Sequence, residues 1–261
     1  MRRIGLGLCA LALAGCSTSV QTSSGREYLG RYDSAVAGAS DAALGVDDAA
    51  FRAAASVEPL LRFPARIGIA RIEGGQLTPI PDDEMASWAA LMEETGGAYG
   101  EVTPLNLLVA ELASSGAVTG SPAQRAVQKI RLGAARQHMD AVFVYEVFGT
   151  HDARQSPLSV GDLTIMGAFL LPGRKVDALG HAEAILLDVR NAYPYLTASE
   201  TVTKDGLAAA ARAVGRGEKL RDAAEAQAVA DLAASLPPAL AKLAVELGNL
   251  PDEPVETAAL D

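Results

Sequence analysis

"AVFVYEVF", residues 141–148, is apolar at odd and even positions alike. A strand with one wet face would alternate; a run without alternation is covered on both sides or nearly so. Residues 141–148 therefore read as the central strand of a sheet. Just upstream, Ser121-Pro122 opens a helix. Serine caps, proline takes the first helical position, and Ala123, Val127, Ile130 and Ala134 recur on one face. The helix ends near His138, whose charge suits the C-terminal dipole, and Asp140 leads into the strand.

Earlier segments supply partners. Residues 66–72, RIGIARI, form a strand with Ile67 and Ile69 on one face and Ile72 on the other. Gly74-Gly75 turns the chain, and a helix spans about 82–94. Asp82, Asp83 and Glu84 crowd its positive end, and Met85, Trp88, Ala89 and Met92 make a core-facing stripe. A short strand at 101–104, a helix at 105–113 and an earlier helix at 46–57, capped by Asp47 or Asp48, complete this half. Downstream, 163–171 is an apolar run ending in Pro172-Gly173, and strands follow at 179–190 and 195–203. Tight turns between such runs predict an antiparallel meander. Past Gly206 the pattern is helical over 207–214, 218–236 and, beyond Pro237-Pro238, 239–247. The fold class is α+β: a mixed, largely antiparallel sheet with helices packed on one side, plus carboxy-terminal helices.

The amino terminus sets the expected location. Met1-Arg2-Arg3 precedes eleven largely apolar residues, Ile4 to Ala14. Eleven helical residues rise about 16 Å, half a hydrocarbon core, so the segment suits a secretory signal better than a span. Leu13-Ala14-Gly15-Cys16 resembles the lipobox of bacterial lipoproteins. The resemblance implies cleavage after Gly15, a diacylglycerol thioether on Cys16 and an acylated (palmitate-type) new amino terminus. Two or more acyl chains hold a protein stably where one does not. Ser17 after the cysteine resembles the sorting pattern for the outer membrane, with the domain facing the periplasm. The expected layout is signal peptide 1–15, lipidated flexible tether 16–25, α+β domain 26–203, helical extension 204–250 and disordered tail 251–261.

The chain has two cysteines, Cys9 and Cys16. The first would leave with the leader and the second carry lipid, so the mature chain has no thiol for disulfides, thiolate metal sites or nucleophilic catalysis. The formal charge is −10 and becomes about −12 without Arg2 and Arg3. That balance argues against nucleic acid and anionic lipid surfaces as partners.

Motifs for chemistry are sparse. The nucleophile elbow, P-loop, H-E-x-x-H and dinucleotide turn are absent. His181-Ala182-Glu183 puts imidazole and carboxylate on one strand face, as a polar surface pair or half of a metal site. His151-Asp152, next to Arg154, reads as an exposed loop cluster and is the candidate for a hydrolase. Tyr193-Pro194-Tyr195 is either a rigid aromatic knob for a partner or a turn packed back on the sheet. No cofactor or metal is implied.

"AQRAVQKIRLGAARQHMDAVFVYEV", within 121–148, resembles the helix-then-strand of the TolB amino-terminal type domain, shared with CsgG and LpoB. "AILLDVRNAYPYLTASETV", 184–202, resembles the hairpin that follows, and RIGIARI the first strand. The stretch 150–180 and the terminal helices have no place in that minimal domain. The resemblance implies a non-enzymatic module that binds an envelope protein in assembly, export or regulation of a cell-wall enzyme, with a homo-oligomer also compatible. A structural cell-wall binder is a further alternative. A pore with 163–171 as a membrane strand fits poorly, because that run lacks the required alternation.

Overall fold

β2 (Ala65–Glu73) and β5 (Ala141–Gln155) lie side by side and parallel at the heart of the sheet, with Ile67 opposite Ala141 and Ile72 opposite Glu146. A computed structural model describes residues 17–36, 48–95, 97–116, 118–155, 174–209 and 212–248. Gly15, Cys16, the run 163–171 and the tail 251–261 lie outside the described residues. In chain order the other elements are β1 (Ser17–Val20), α1 (Gly25–Val36), α2 (Asp48–Ala55), β3 (Gln76–Thr78), α3 (Asp82–Thr95), β4 (Gly100–Pro104), α4 (Leu107–Ser114), α5 (Pro122–Arg136), β6 (Arg174–Asp188), β7 (Pro194–Ala208) and α6 (Ala213–Gly248). The sheet order is β1-β7-β6-β5-β2-β3, with β4 parallel to the first half of β2. Apart from β2's pairings with β5 and β4, every neighbour is antiparallel, so the α+β class with a mixed, largely antiparallel sheet holds.

α5 forms where its signals place it. Ser121 Oγ accepts from the Gln124 backbone N–H at 3.3 Å, and the Gln124 side chain accepts from the Ser121 N–H at 2.9 Å. This reciprocal cap satisfies two orphan donors. At the other end His138 takes a left-handed φ of 55° and reverses the chain into β5. Met139 N–H then donates to the Ala134 carbonyl at 3.0 Å.

Helices cover both faces, not one. On one side Ile67, Ile69, Phe143, Tyr145 and Leu186 pack against Trp88 and Leu91 of α3 and Leu232, Leu236 and Leu240 of α6. On the other, Ala70, Val142, Val144 and Leu187 pack against Ala110 of α4 and Ala126, Ile130 and Ala134 of α5. The run 141–148 has both covers over 141–145, where every residue is buried; beyond it the expectation of two covers fails, since Glu146 is half-buried and Phe148 exposed. Small residues set the approach: a Cβ on Gly133 of α5 would lie 2.6 Å from the Ala110 Cβ, and one on Gly180 of β6 would lie 2.3 Å from the Ala224 backbone.

Other boundaries also differ. Residues 17–25 are not a free tether. β1 pairs with β7 from Ser17↔Ser199 to Val20↔Leu196, and Ser17 and Ser199 hydroxyls are 2.8 Å apart. Thr22 then bonds Glu246 at 2.9 Å and Ser24 bonds Glu58 at 3.1 Å. Polar composition suggested slack, but the open edge of β7 offers backbone partners that composition does not reveal. Residues 204–250 are not an appended extension either. β7 runs on to Ala208, and 36-residue α6 passes through Pro237-Pro238 unbroken. α6 is long and apolar enough to cross a membrane, yet Leu232, Leu236 and Leu243 are fully buried in the domain. Burial of that stripe outweighs the two hydrogen bonds the prolines forfeit.

Candidate functional site

β5, β6 and β7 are each 15 residues long and outrun β2, so one face of their far ends meets α6 while the other lies open. Strict alternation decides which side chain goes where. Facing α6 are Gly149 and His151 of β5, with Ala178 and Gly180 of β6 opposite them. Facing outward, cross-strand rows run Val144-Ile185-Thr197, Glu146-Glu183-Ser199, Phe148-His181-Thr201, Thr150-Leu179-Thr203 and Asp152-Asp177-Asp205.

α5 shelters only the start of this face. Where it stops, a groove of about 460 Å³ opens, lined by Ile72, Val127, Val144 and Ile185, with Glu146 and Glu183 on its rim. That volume lies in the range of ligand clefts. Beside it Phe148 is 52 % exposed and stacks on the His181 ring at 4.8 Å between centroids. His181 Nδ1 is 2.8 Å from Thr201 Oγ1, and Nε2 is 3.8 Å from Glu183. His181 and Glu183 thus share a strand face as their spacing predicts, as a polar pair on an open surface. Among the described residues no group of three or more His, Cys, Asp or Glu could hold a metal.

The His151-Asp152 cluster is not a loop dyad. Both lie in β5, so their side chains leave on opposite faces. His151 packs its ring over Gly217 of α6. Asp152 turns outward to Arg154 at 2.7 Å, and this hydrogen bond holds its carboxyl below the ordinary range. The two cannot relay a proton to one another, so the pair on which the hydrolase alternative was built is not formed.

Tyr193 and Tyr195 do not form an exposed knob; they are 2 % and 0 % exposed. Their rings pack 4.9 Å apart under the amino-terminal segment. Tyr193 Oη donates to the Ser23 carbonyl at 2.8 Å. Tyr195 Oη accepts from the Leu60 and Leu61 N–H groups at 2.8 and 2.7 Å and donates to Asp188 at 2.7 Å. Burial, then Asp188, pushes the Tyr195 hydroxyl far above its usual value, so it stays protonated. Arg190 closes the node with two bonds to Asp188 of 3.0 and 2.9 Å. This corner is a staple between the sheet and residues 23–61. Between the amino-terminal segment and α6 it leaves a second cleft of about 690 Å³, lined by Gln21, Tyr28, Val57, Tyr193 and Glu246.

A second buried polar node joins three elements. Arg71 of β2 bonds Glu84 of α3 at 3.0 Å and Glu73 at 2.7 Å, and Tyr145 of β5 donates to Glu84 at 2.7 Å. Burial and the neighbouring Glu84 charge raise the Tyr145 pKa strongly. The Trp88 indole N–H, buried beside the Tyr145 ring at 4.9 Å, has no hydrogen-bond partner among the described residues. Trp88 is a core residue, but the buried stripe of α3 is Glu84, Trp88 and Leu91; Ala89 of the expected stripe is exposed.

Sequence reasoning missed Phe148 and the groove. Their signal was the register: even positions of β5 and odd positions of β6 fall on one face once the hairpin is aligned.

No family model and no curated protein matches the sequence. Solved structures with some similarity include the PelC dodecamer from Paraburkholderia phytofirmans, at 14 % identity over 69 % of this chain and 91 % of that one, with a TM-score of 0.31. Lipoprotein GNA1162 from Neisseria meningitidis shares 18 % identity over 55 % of this chain and 85 % of that one, TM-score 0.30. A minor lipoprotein from Acinetobacter baumannii shares 8 % over 74 % of this chain and 100 % of that one, TM-score 0.33. Structural neighbours of this chain thus include bacterial lipoproteins, at TM-scores too low to transfer architecture or activity.

Proposed function

We propose that this chain is a lipid-anchored lipoprotein of the bacterial outer membrane, facing the periplasm, whose domain binds an envelope protein and catalyses nothing itself. The observation that carries the binding reading is the open sheet face: a 460 Å³ groove of Ile72, Val127, Val144 and Ile185 beside half-exposed Phe148. Apolar surface rimmed by carboxylates and hydroxyls is what a partner's extended segment or helix would cover. The lipobox-like Leu13-Ala14-Gly15-Cys16 supports the anchor. Anchoring confines the domain to one surface and raises its effective concentration toward neighbours there. The TolB-like resemblance of 121–148 and 184–202 fits a binding module in assembly, export or cell-wall enzyme regulation.

The test is cross-linking capture from the native envelope with three forms of the protein. Wild type should retain a discrete partner. Thr197→Arg, an exposed substitution at the groove, should lose that partner while staying with the membrane. Cys16→Ser should leave the membrane and lose the partner at its native concentration. An unchanged partner set with Thr197→Arg would remove the groove from the account.

A further inference from the structure

We propose that the domain does not hang from its anchor but rests on the bilayer, with the free edge of β7 and the first turns of α6 against the phospholipid headgroups. The inference rests on the lipid-anchor reading and adds an orientation to it. A single peptide step, about 3.8 Å between Cα atoms, separates Cys16 from Ser17, and Ser17 is already paired with Ser199. From there to Gly25 the chain is held in turn by Tyr195, Glu246, Tyr193 and Glu58. No slack remains between anchor and fold.

Register gives the direction. β1 is antiparallel to β7, so going back from Val20 to Ser17 moves from Leu196 toward Ser199. The anchor therefore leaves along the remaining length of β7, Glu200 to Ala208, a further 30 Å or so of strand. Among the described residues, nothing pairs with the outer edge of that stretch. Leu207 and Val214, 53 % and 66 % exposed, sit at this end of the molecule.

Charge points the same way. Over 150–155, 174–180 and 200–225, eight lysines and arginines stand against seven aspartates and glutamates, a near balance in a chain of net charge −10. α6 brings its share to the end in question, since Gly217 packs on His151, and Gly206 meets Leu220 and Arg216. The net charge argues against an anionic surface for the molecule as a whole; this end is the exception. Basic residues within a Debye length of headgroup phosphates are attracted to them, and exposed Leu207 and Val214 suit the interfacial layer.

The test uses the chain's lack of other free thiols once Cys9 is removed and Cys16 acylated. Lipidated Thr203→Cys and Leu112→Cys proteins are labelled with an environment-sensitive fluorophore. They are reconstituted on vesicles of phosphatidylethanolamine and phosphatidylglycerol carrying a headgroup nitroxide. Thr203 lies on exposed β7 and Leu112 on exposed α4, across the sheet. Flotation with the vesicles tests the anchor separately. The expected result is flotation of both, with blue shift and loss of most fluorescence at position 203 and neither at position 112. Flotation with equal response at the two positions overturns the orientation and leaves the anchor standing. Failure of both to float overturns the anchor and the orientation together.

Discussion

Replacing Tyr195 with phenylalanine removes one oxygen from a site where three groups depend on it. The Leu60 and Leu61 N–H groups lose their acceptor at 2.8 and 2.7 Å, and Asp188, 0 % exposed, loses a donor at 2.7 Å. A buried polar group left unsatisfied costs about 1–3 kcal/mol, more beside a charge. Asp188 keeps three bonds from Arg190, one from its backbone N–H and two from its guanidinium, which limits the damage on that side. The ring and its packing against Tyr193 survive the substitution, so no cavity term adds to the loss. The sum is roughly 3–5 kcal/mol. With a urea m-value of about 2–3 kcal/mol/M, the midpoint should fall by about 1–2 M with m unchanged. Equilibrium urea unfolding followed by Trp88 fluorescence reads this directly, since Trp88 is buried in the same core. A midpoint shift below about 0.3 M would refute the claim that Tyr195 staples the amino-terminal segment to the sheet.

Three further outcomes follow from the same structure. Arg71→Met leaves Glu84 buried with only Tyr145 as side-chain donor among the described residues, and should cost about 3–5 kcal/mol in thermal or urea unfolding, with Arg71→Met/Glu84→Gln recovering much of it. Gly180→Ala drives a Cβ to 2.3 Å from the Ala224 backbone, so α6 must lift from β6; the expected loss is above about 2 kcal/mol, with faster hydrogen exchange in α6. Burial raises the Glu225 carboxyl pKa, opposed by Arg221 at 3.6 Å, so the native state keeps this proton to higher pH than the unfolded chain does. The stability that proton confers is complete below the ordinary carboxylate range and is lost as pH rises through the raised value. Glu225→Gln should therefore gain on wild type in unfolding midpoints as pH rises above the ordinary carboxylate range.

The parts of the fold that sequence made legible are those with local causes. The Ser121–Gln124 cap, the acidic start of α3 and the two-faced run at 141–148 each carry their own physics, and each element appears where expected. What stayed hidden depends on distant partners. Residues 17–20 become a strand only because β7 leaves an edge free, and 149–155 and 174–178 extend the hairpin because α6 covers one side of them. His151 and Asp152 looked like a loop pair because their polarity alternates against an apolar face built some sixty residues later. The Tyr193-Pro194-Tyr195 turn could be read either way, and the choice was made by hydroxyl partners at Ser23, Leu60 and Leu61. The open groove required the β5–β6 register, which composition does not encode.

The account turns on the acylated cysteine, because location, tethering and orientation all descend from it. Intact-mass analysis of the protein extracted from its own membranes measures this directly. The predicted species begins at Cys16, lacks residues 1–15 and carries a diacylglyceryl thioether with an amide-linked acyl chain. A species that retains the leader, or one whose Cys16 reacts freely with a thiol reagent, would contradict it.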